Sequence, residues 1–166
     1  MRYSKLLTAV CLSVCGCLLP AFELHAQSLP RTIRTVQQKM VKIYGAGGIR
    51  GLEAYQSGFL ISPTGHVLTS YSYVLDAQTV TVTLDDGRKF EAALLGADPR
   101  LEVAVLKIDA ADLPCFDFKD AATGEEGTRV LAFSNLFGVA TGDEPVSVLH
   151  GAISAVSSLE ARRGTF

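Results

Sequence analysis

Residues Thr79–Leu84 read TVTVTL and run directly into Asp85-Asp86-Gly87-Arg88. In an extended chain Val80, Val82 and Leu84 share one side and the threonines share the other, which is the alternation of a half-buried antiparallel strand. Branching at Cβ stiffens valine and threonine and suits them to a pleated surface. Asp-Gly accepts the positive φ of a primed turn, so the next segment must return beside the first. The same grammar recurs along the chain. It predicts strands over Met40–Tyr44, Gly58–Ser62, His66–Ser70, Thr79–Leu84, Phe90–Gly96, Val103–Ile108, Arg129–Phe133 and Val146–Ala155. Ser62-Pro63-Thr64-Gly65 and Ala97-Asp98-Pro99-Arg100 are tight turns, and Ala121–Gly127 is a longer acidic loop. Residues 27–39 read as a polar lead-in, and Ser70–Asp76 has room for one short helical turn. No helix of ordinary length is required. Many short strands at close spacing specify an all-β sandwich or barrel.

The first 26 residues have a different character. Arg2 and Lys5 precede the apolar run LLTAVCLSVCGCLL, which is short for a membrane span, and Ala26 offers a small residue for cleavage. Residues 1–26 are therefore expected to be a signal peptide. The rest is expected to be exported, periplasmic or secreted, with no membrane span. An uncleaved anchor is the alternative. Val14-Cys15-Gly16-Cys17 also resembles a lipoprotein box ending at Cys17, a reading ranked below simple secretion because Cys15 is unusual inside such a box.

Composition closes off other classes. The chain has 166 residues, 48% of them hydrophobic, and a formal net charge of −2, so it has room for one domain with a core. No basic stripe or stacking-aromatic cluster supports nucleic-acid binding. Once Cys11, Cys15 and Cys17 leave with the leader, Cys115 stands alone, which excludes an intramolecular disulfide and reads as a small buried hydrophobe. His25 leaves with the leader too. His66, His150 and Cys115 show no metal-ligand spacing, so neither metal nor cofactor is expected.

SGFLISPTGHVLTS, TVTVTLDDGRKFEAALLGADPRLEVAVLKIDAADLP, RVLAFSNLFG and VSVLHGAISAV resemble, in order and spacing, the trypsin-like serine proteases, above all their HtrA/Deg (high-temperature-requirement) group. The resemblance runs from about Met40 to Val156. It implies a chymotrypsin-like fold of two antiparallel barrels with the active site in the cleft between them. Residues Met40–Ile108 would complete the first barrel, and residues from about Arg129 would only begin the second. The protease-like domain is accordingly assigned to 40–166.

The catalytic positions implied by the resemblance are degenerate. The family's histidine stands three residues after the threonine of a Leu-Thr pair; here Thr69 plus three is Ser72, and a shift of one gives Tyr73. A hydroxyl cannot act as general base near neutral pH. The orienting aspartate of the DPR-x-Asp-x-Ala-Val segment is replaced by Glu102. The Gly-x-Ser-Gly nucleophile motif and its oxyanion loop are expected downstream of VSVLHGAISAV, and the chain ends at Phe166 before either. Thus no catalytic residue is assigned. A new Ser72–His66 dyad is conceivable but remote, and His150 reads as structural or exposed. In SNLFG, Ser134 and Leu136 replace a family Gly and Pro, which bears on substrate binding as well.

Three readings follow. The first is a non-catalytic homologue, a pseudoprotease, that binds peptide or protein through its cleft side. The second is a truncated or split endopeptidase of extracytoplasmic protein quality control. The third is a protease active only with a complementary chain. Arg129–Phe133 and Val146–Ala155 are the expected contact for such a chain or for a homo-oligomer, through exposed Val146, Val148, Leu149 and Ile153.

Overall fold

A computed structural model describes residues 28–46, 54–157, 160–161 and 164–165. The leader, with its three cysteines and His25, lies outside the described residues. The chain forms one helix, α1 (Ser28–Gln37), and then strands β1 (Met40–Ala46), β2 (Ala54–Leu60), β3 (His66–Ser70), β4 (Thr79–Thr83), β5 (Lys89–Asp98) and β6 (Val103–Ile108). These six close into an antiparallel barrel in the order β1-β2-β3-β6-β5-β4. Closure pairs Lys42–Ala46 of β1 with Thr79–Thr83 of β4, so no strand of the barrel is left as an edge. Two separate ribbons follow. β7 (Arg129–Ser134) pairs with β8 (Ser147–Ala152), and β9 (Glu160–Ala161) pairs with β10 (Gly164–Thr165).

The alternation read from sequence decides what fills the barrel. Val41 and Ile43 from β1, Val67 from β3, Val80 and Val82 from β4, and Ala104, Leu106 and Ile108 from β6 form one buried cluster with Leu60, Val74 and Leu75. Full burial of each large aliphatic side chain is worth about 1.5–3 kcal/mol over exposure. Glycine is needed where backbones touch: a Cβ at Gly58 would lie 2.8 Å from the Ile43 Cδ1 and 2.9 Å from the Val67 Cγ1. Gly87 (φ +83) makes the expected β4–β5 turn, closed by Leu84 N–H to the Arg88 carbonyl at 2.9 Å.

Four expectations need correction. The lead-in holds a helix of ordinary length, Ser28–Gln37, and its Ile33 and Val36 fall at helical spacing and are half-buried. The interruption of this stripe by Arg31, Arg34 and Thr35 hid it. β2 begins at Ala54 rather than Gly58, because Tyr55, Ser57 and Phe59 continue the alternation upstream. β8 stops at Ala152 rather than Ala155. Val146 is not presented to a partner; it is 4% exposed, and its carbonyl accepts from the Gln37 side chain at 3.2 Å.

The outer face of β1 fastens the barrel to the β7–β8 connection. Alternation that sends Val41 and Ile43 inward sends Lys42 and Tyr44 outward. Lys42, only 1% exposed, donates from Nζ to the carbonyls of Gly142 (2.6 Å) and Glu144 (2.9 Å). Burial pushes its ammonium below the ordinary lysine range, against the opposing pull of Asp85, Glu144, Asp143 and Asp86. The unfolded chain, with an ordinary lysine, therefore holds that proton more tightly. Between the lowered native value and 10.5 the unfolded state binds more protons, so this group's contribution to stability rises as pH climbs through that window. Lys42→Met removes the rise. Across the alkaline range the urea midpoint of the unaltered protein should rise relative to that of Lys42→Met as pH climbs through that window, whereas parallel curves or a relative fall would contradict the assignment.

Candidate functional site

The Ser72 and Glu102 positions come together through the backbone. β3 ends at Ser70, whose register partner on β6 is Val103, and the next residue, Tyr71, donates its N–H to the Glu102 carbonyl at 2.9 Å. The chain then makes the short 3₁₀ turn Tyr73–Asp76, whose Val74 and Leu75 plug the barrel end. Ser72 caps that turn: its Oγ accepts from the Val74 N–H at 3.2 Å. Gly45 of β1 lets the turn sit close, because a Cβ there would fall on the Val74 carbonyl oxygen.

The side chains do not form a catalytic pair. The Ser72 hydroxyl donates to Gln56 Oε1. Gln56 in turn donates from Nε2 to Thr69 Oγ1 (2.9 Å) and the Ser70 carbonyl (3.1 Å), and Thr69 donates to the Ser57 carbonyl at 2.8 Å. Glu102 is exposed, with φ of 53, and its carboxylate makes no side-chain hydrogen bond among the described residues. A triad requires base against nucleophile and acid against base. Here a serine, an amide and a threonine satisfy one another, and none of them can take a proton near neutral pH.

The remaining singled-out residues lie elsewhere. His66 sits at the opposite end of β3, where its Nδ1 is 2.7 Å from Ser62 Oγ and 3.3 Å from Thr64 Oγ1. The Ser72–His66 dyad is therefore not formed. His150 is exposed on β8 opposite Leu131. Cys115 is half-buried and packs against the barrel core. A groove of about 290 Å³ lined by Leu84, Asp85, Asp86 and Leu113 opens at the far end of β4, away from Ser72.

The polar chain continues into the β7–β8 connection. Ser57 Oγ accepts from the Asn135 N–H at 2.7 Å and lies 3.4 Å from Ser134 Oγ. Asn135, nearly fully buried, donates to the Tyr44 hydroxyl at 2.7 Å and accepts from the Ala140 N–H at 3.0 Å; Tyr44 donates onward to the Ala140 carbonyl. The SNLFG segment thus carries a buried, satisfied network. Phe137, at φ 60, is turned out to solvent beside it.

Sequence reading singled out Ser72 but missed Gln56, since the strand was begun four residues too late, at Gly58 rather than Ala54. Loss of the Ser72 hydroxyl removes both the cap and the bond to Gln56. Ser72→Ala is expected to cost about 1–2 kcal/mol in urea denaturation. Gln56→Met should cost a similar amount, and the double variant less than the sum. Strict additivity would show that the two side chains do not interact.

A model of the trypsin-like peptidase domain matches residues 56–165. The chain is 38% identical over 105 residues to a probable periplasmic serine endoprotease, DegP-like, of Pseudomonas fulva, covering 63% of this chain and 22% of that protein. It is 37% identical over 99 residues to a DegP-like endoprotease of Chlamydia muridarum, covering 60% of this chain and 19% of that one. It thus spans about a fifth of the length of these curated relatives. The crystal structure of a serine endoprotease from Yersinia pestis superposes with a TM-score of 0.66 at 31% identity, covering 76% of this chain and 44% of the other. The chain belongs to the trypsin-like peptidase domain family, and within it resembles the HtrA/Deg proteases.

Proposed function

We propose that this chain is an exported, non-catalytic relative of the HtrA/Deg proteases that binds peptide or protein on its cleft side. The observation that carries this reading is the closed hydrogen-bond chain at Ser72. Where a protease of this family needs an imidazole free to accept a proton, the side chain is a hydroxyl already committed to Gln56 and to the Val74 N–H. Glu102 retains a carboxylate but has no imidazole to orient. The barrel that carries these positions keeps a filled core, which supports a folded scaffold whose chemistry has changed. Export is supported by the basic and apolar character of residues 1–26 and by the periplasmic relatives. Among the described residues no helix is long and apolar enough to cross a membrane.

A second reading is a truncated or split endopeptidase completed by another chain. Its support is that β7 pairs only with β8 among the described residues, which leaves two unpaired outer edges.

A casein-turnover assay on the purified protein separates these readings. The expected result is no turnover above a buffer control, alone or mixed at high concentration. Turnover that Ser72→Ala or Glu102→Ala abolishes would contradict the non-catalytic assignment.

A further inference from the structure

Two neighbouring loops at the Ser72 end of the barrel carry an exposed surface of unusual composition. Tyr71, Tyr73 (72% exposed) and Leu101 present large apolar groups to solvent. Asp76 and Glu102 expose carboxylates beside them. The loops are tied together by the Tyr71 N–H to Glu102 carbonyl bond, so these side chains belong to one patch. The nearest cation in sequence, Arg100, does not neutralise it: its guanidinium is held by Asp98 through Nε at 3.3 Å and Nη2 at 3.2 Å. Neither Asp76 nor Glu102 has an ion-pair partner among the described residues.

The chain covers other aromatic rings with its own cations. Lys39 sits 4.9 Å above the Phe116 ring and Arg88 lies 5.9 Å from the Phe90 ring. Among the described residues Tyr71 and Tyr73 have no such partner. Two tyrosine rings beside two carboxylates that have no ion pair among the described residues favour a cation, by ring-quadrupole attraction and by Coulomb attraction together. Leu101 favours an apolar neighbour to that cation.

We infer that this patch is a docking surface for a partner protein's segment in which arginine or lysine alternates with apolar side chains. The inference rests on the binding-module reading and names the class of its ligand. Electrostatic attraction sets orientation and on-rate, while the tyrosines and Leu101 supply the desolvated contact.

Fluorescence anisotropy of the full chain with labelled Gly-Leu-Arg-Leu-Arg-Gly tests it, with Gly-Leu-Glu-Leu-Glu-Gly and Gly-Ser-Arg-Ser-Arg-Gly as comparisons. The basic-apolar peptide should bind at least tenfold more tightly than the acidic one and severalfold more tightly than the serine one. Its binding should weaken as ionic strength rises to about 0.5 M. Glu102→Gln and Tyr73→Ala, both at exposed positions, should each weaken it about two- to fivefold while leaving the melting temperature unchanged. Equal binding of all three peptides, absence of binding, or binding indifferent to both variants would overturn the inference and leave the non-catalytic reading standing. Cleavage of the peptide would instead overturn that reading.

Discussion

Closure of the sheet through β1 and β4 is the constraint on which the rest of the structure depends. Every strand of the barrel then has two hydrogen-bonded neighbours, so its interior can be filled by the alternate residues of each. β1 does more than close the ring. Its inward residues, Val41 and Ile43, build the core, while its outward residues, Lys42 and Tyr44, hold the β7–β8 connection by hydrogen bonds to backbone carbonyls. One seven-residue strand therefore serves both the barrel and the segment outside it. A buried lysine is a costly fastener, and the two carbonyls it meets are what make its burial tolerable.

At the rim of this barrel the ends of β3 and β6 are held together by backbone, while the side chains around them are engaged elsewhere. The β3 end and the residue before β6 still meet through the Tyr71–Glu102 bond. The side chains there have found other partners. Ser72 caps a turn and bonds Gln56; Gln56 bonds Thr69; a further set from Ser57 to Asn135 and Tyr44 runs on toward the β7–β8 connection. A network in which each buried donor has an acceptor is stabilising, and it gives each group a reason to stay where it is. Replacing Ser72 would break its bond to Gln56 and leave that amide oxygen without its donor.

Much of this was legible in the sequence. Strict alternation in TVTVTL and VAVLKI fixed strand identity and inner face, and Asp-Gly fixed the β4–β5 turn, because these are local consequences of side-chain branching and backbone freedom. Ser72 and Glu102 were singled out only through the resemblance to the protease family. What escaped depends on contacts distant in sequence. The burial of Val146 is set by Gln37, 109 residues away, and that of Lys42 by carbonyls 100 and 102 residues away. No pattern within a short window reports such pairs. α1 escaped for another reason: its apolar stripe is only two to three residues deep, diluted by arginine and threonine. Gln56 lay within reach, since Tyr55–Phe59 alternates as regularly as the segment that was recognised.

The central claim is that the Ser72 hydroxyl, committed to Gln56 and the Val74 N–H, has no base to activate it. A serine oxygen attacks the phosphorus of a fluorophosphonate and displaces fluoride only where a neighbouring base raises its nucleophilicity, so the reagent reports the machinery independently of any substrate. Incubation of the full chain with an excess of such a reagent, followed by intact-mass measurement, should leave the mass unchanged while a competent serine protease in the same tube is labelled to completion. A single stoichiometric adduct, located at Ser72 or any other serine, would contradict the account.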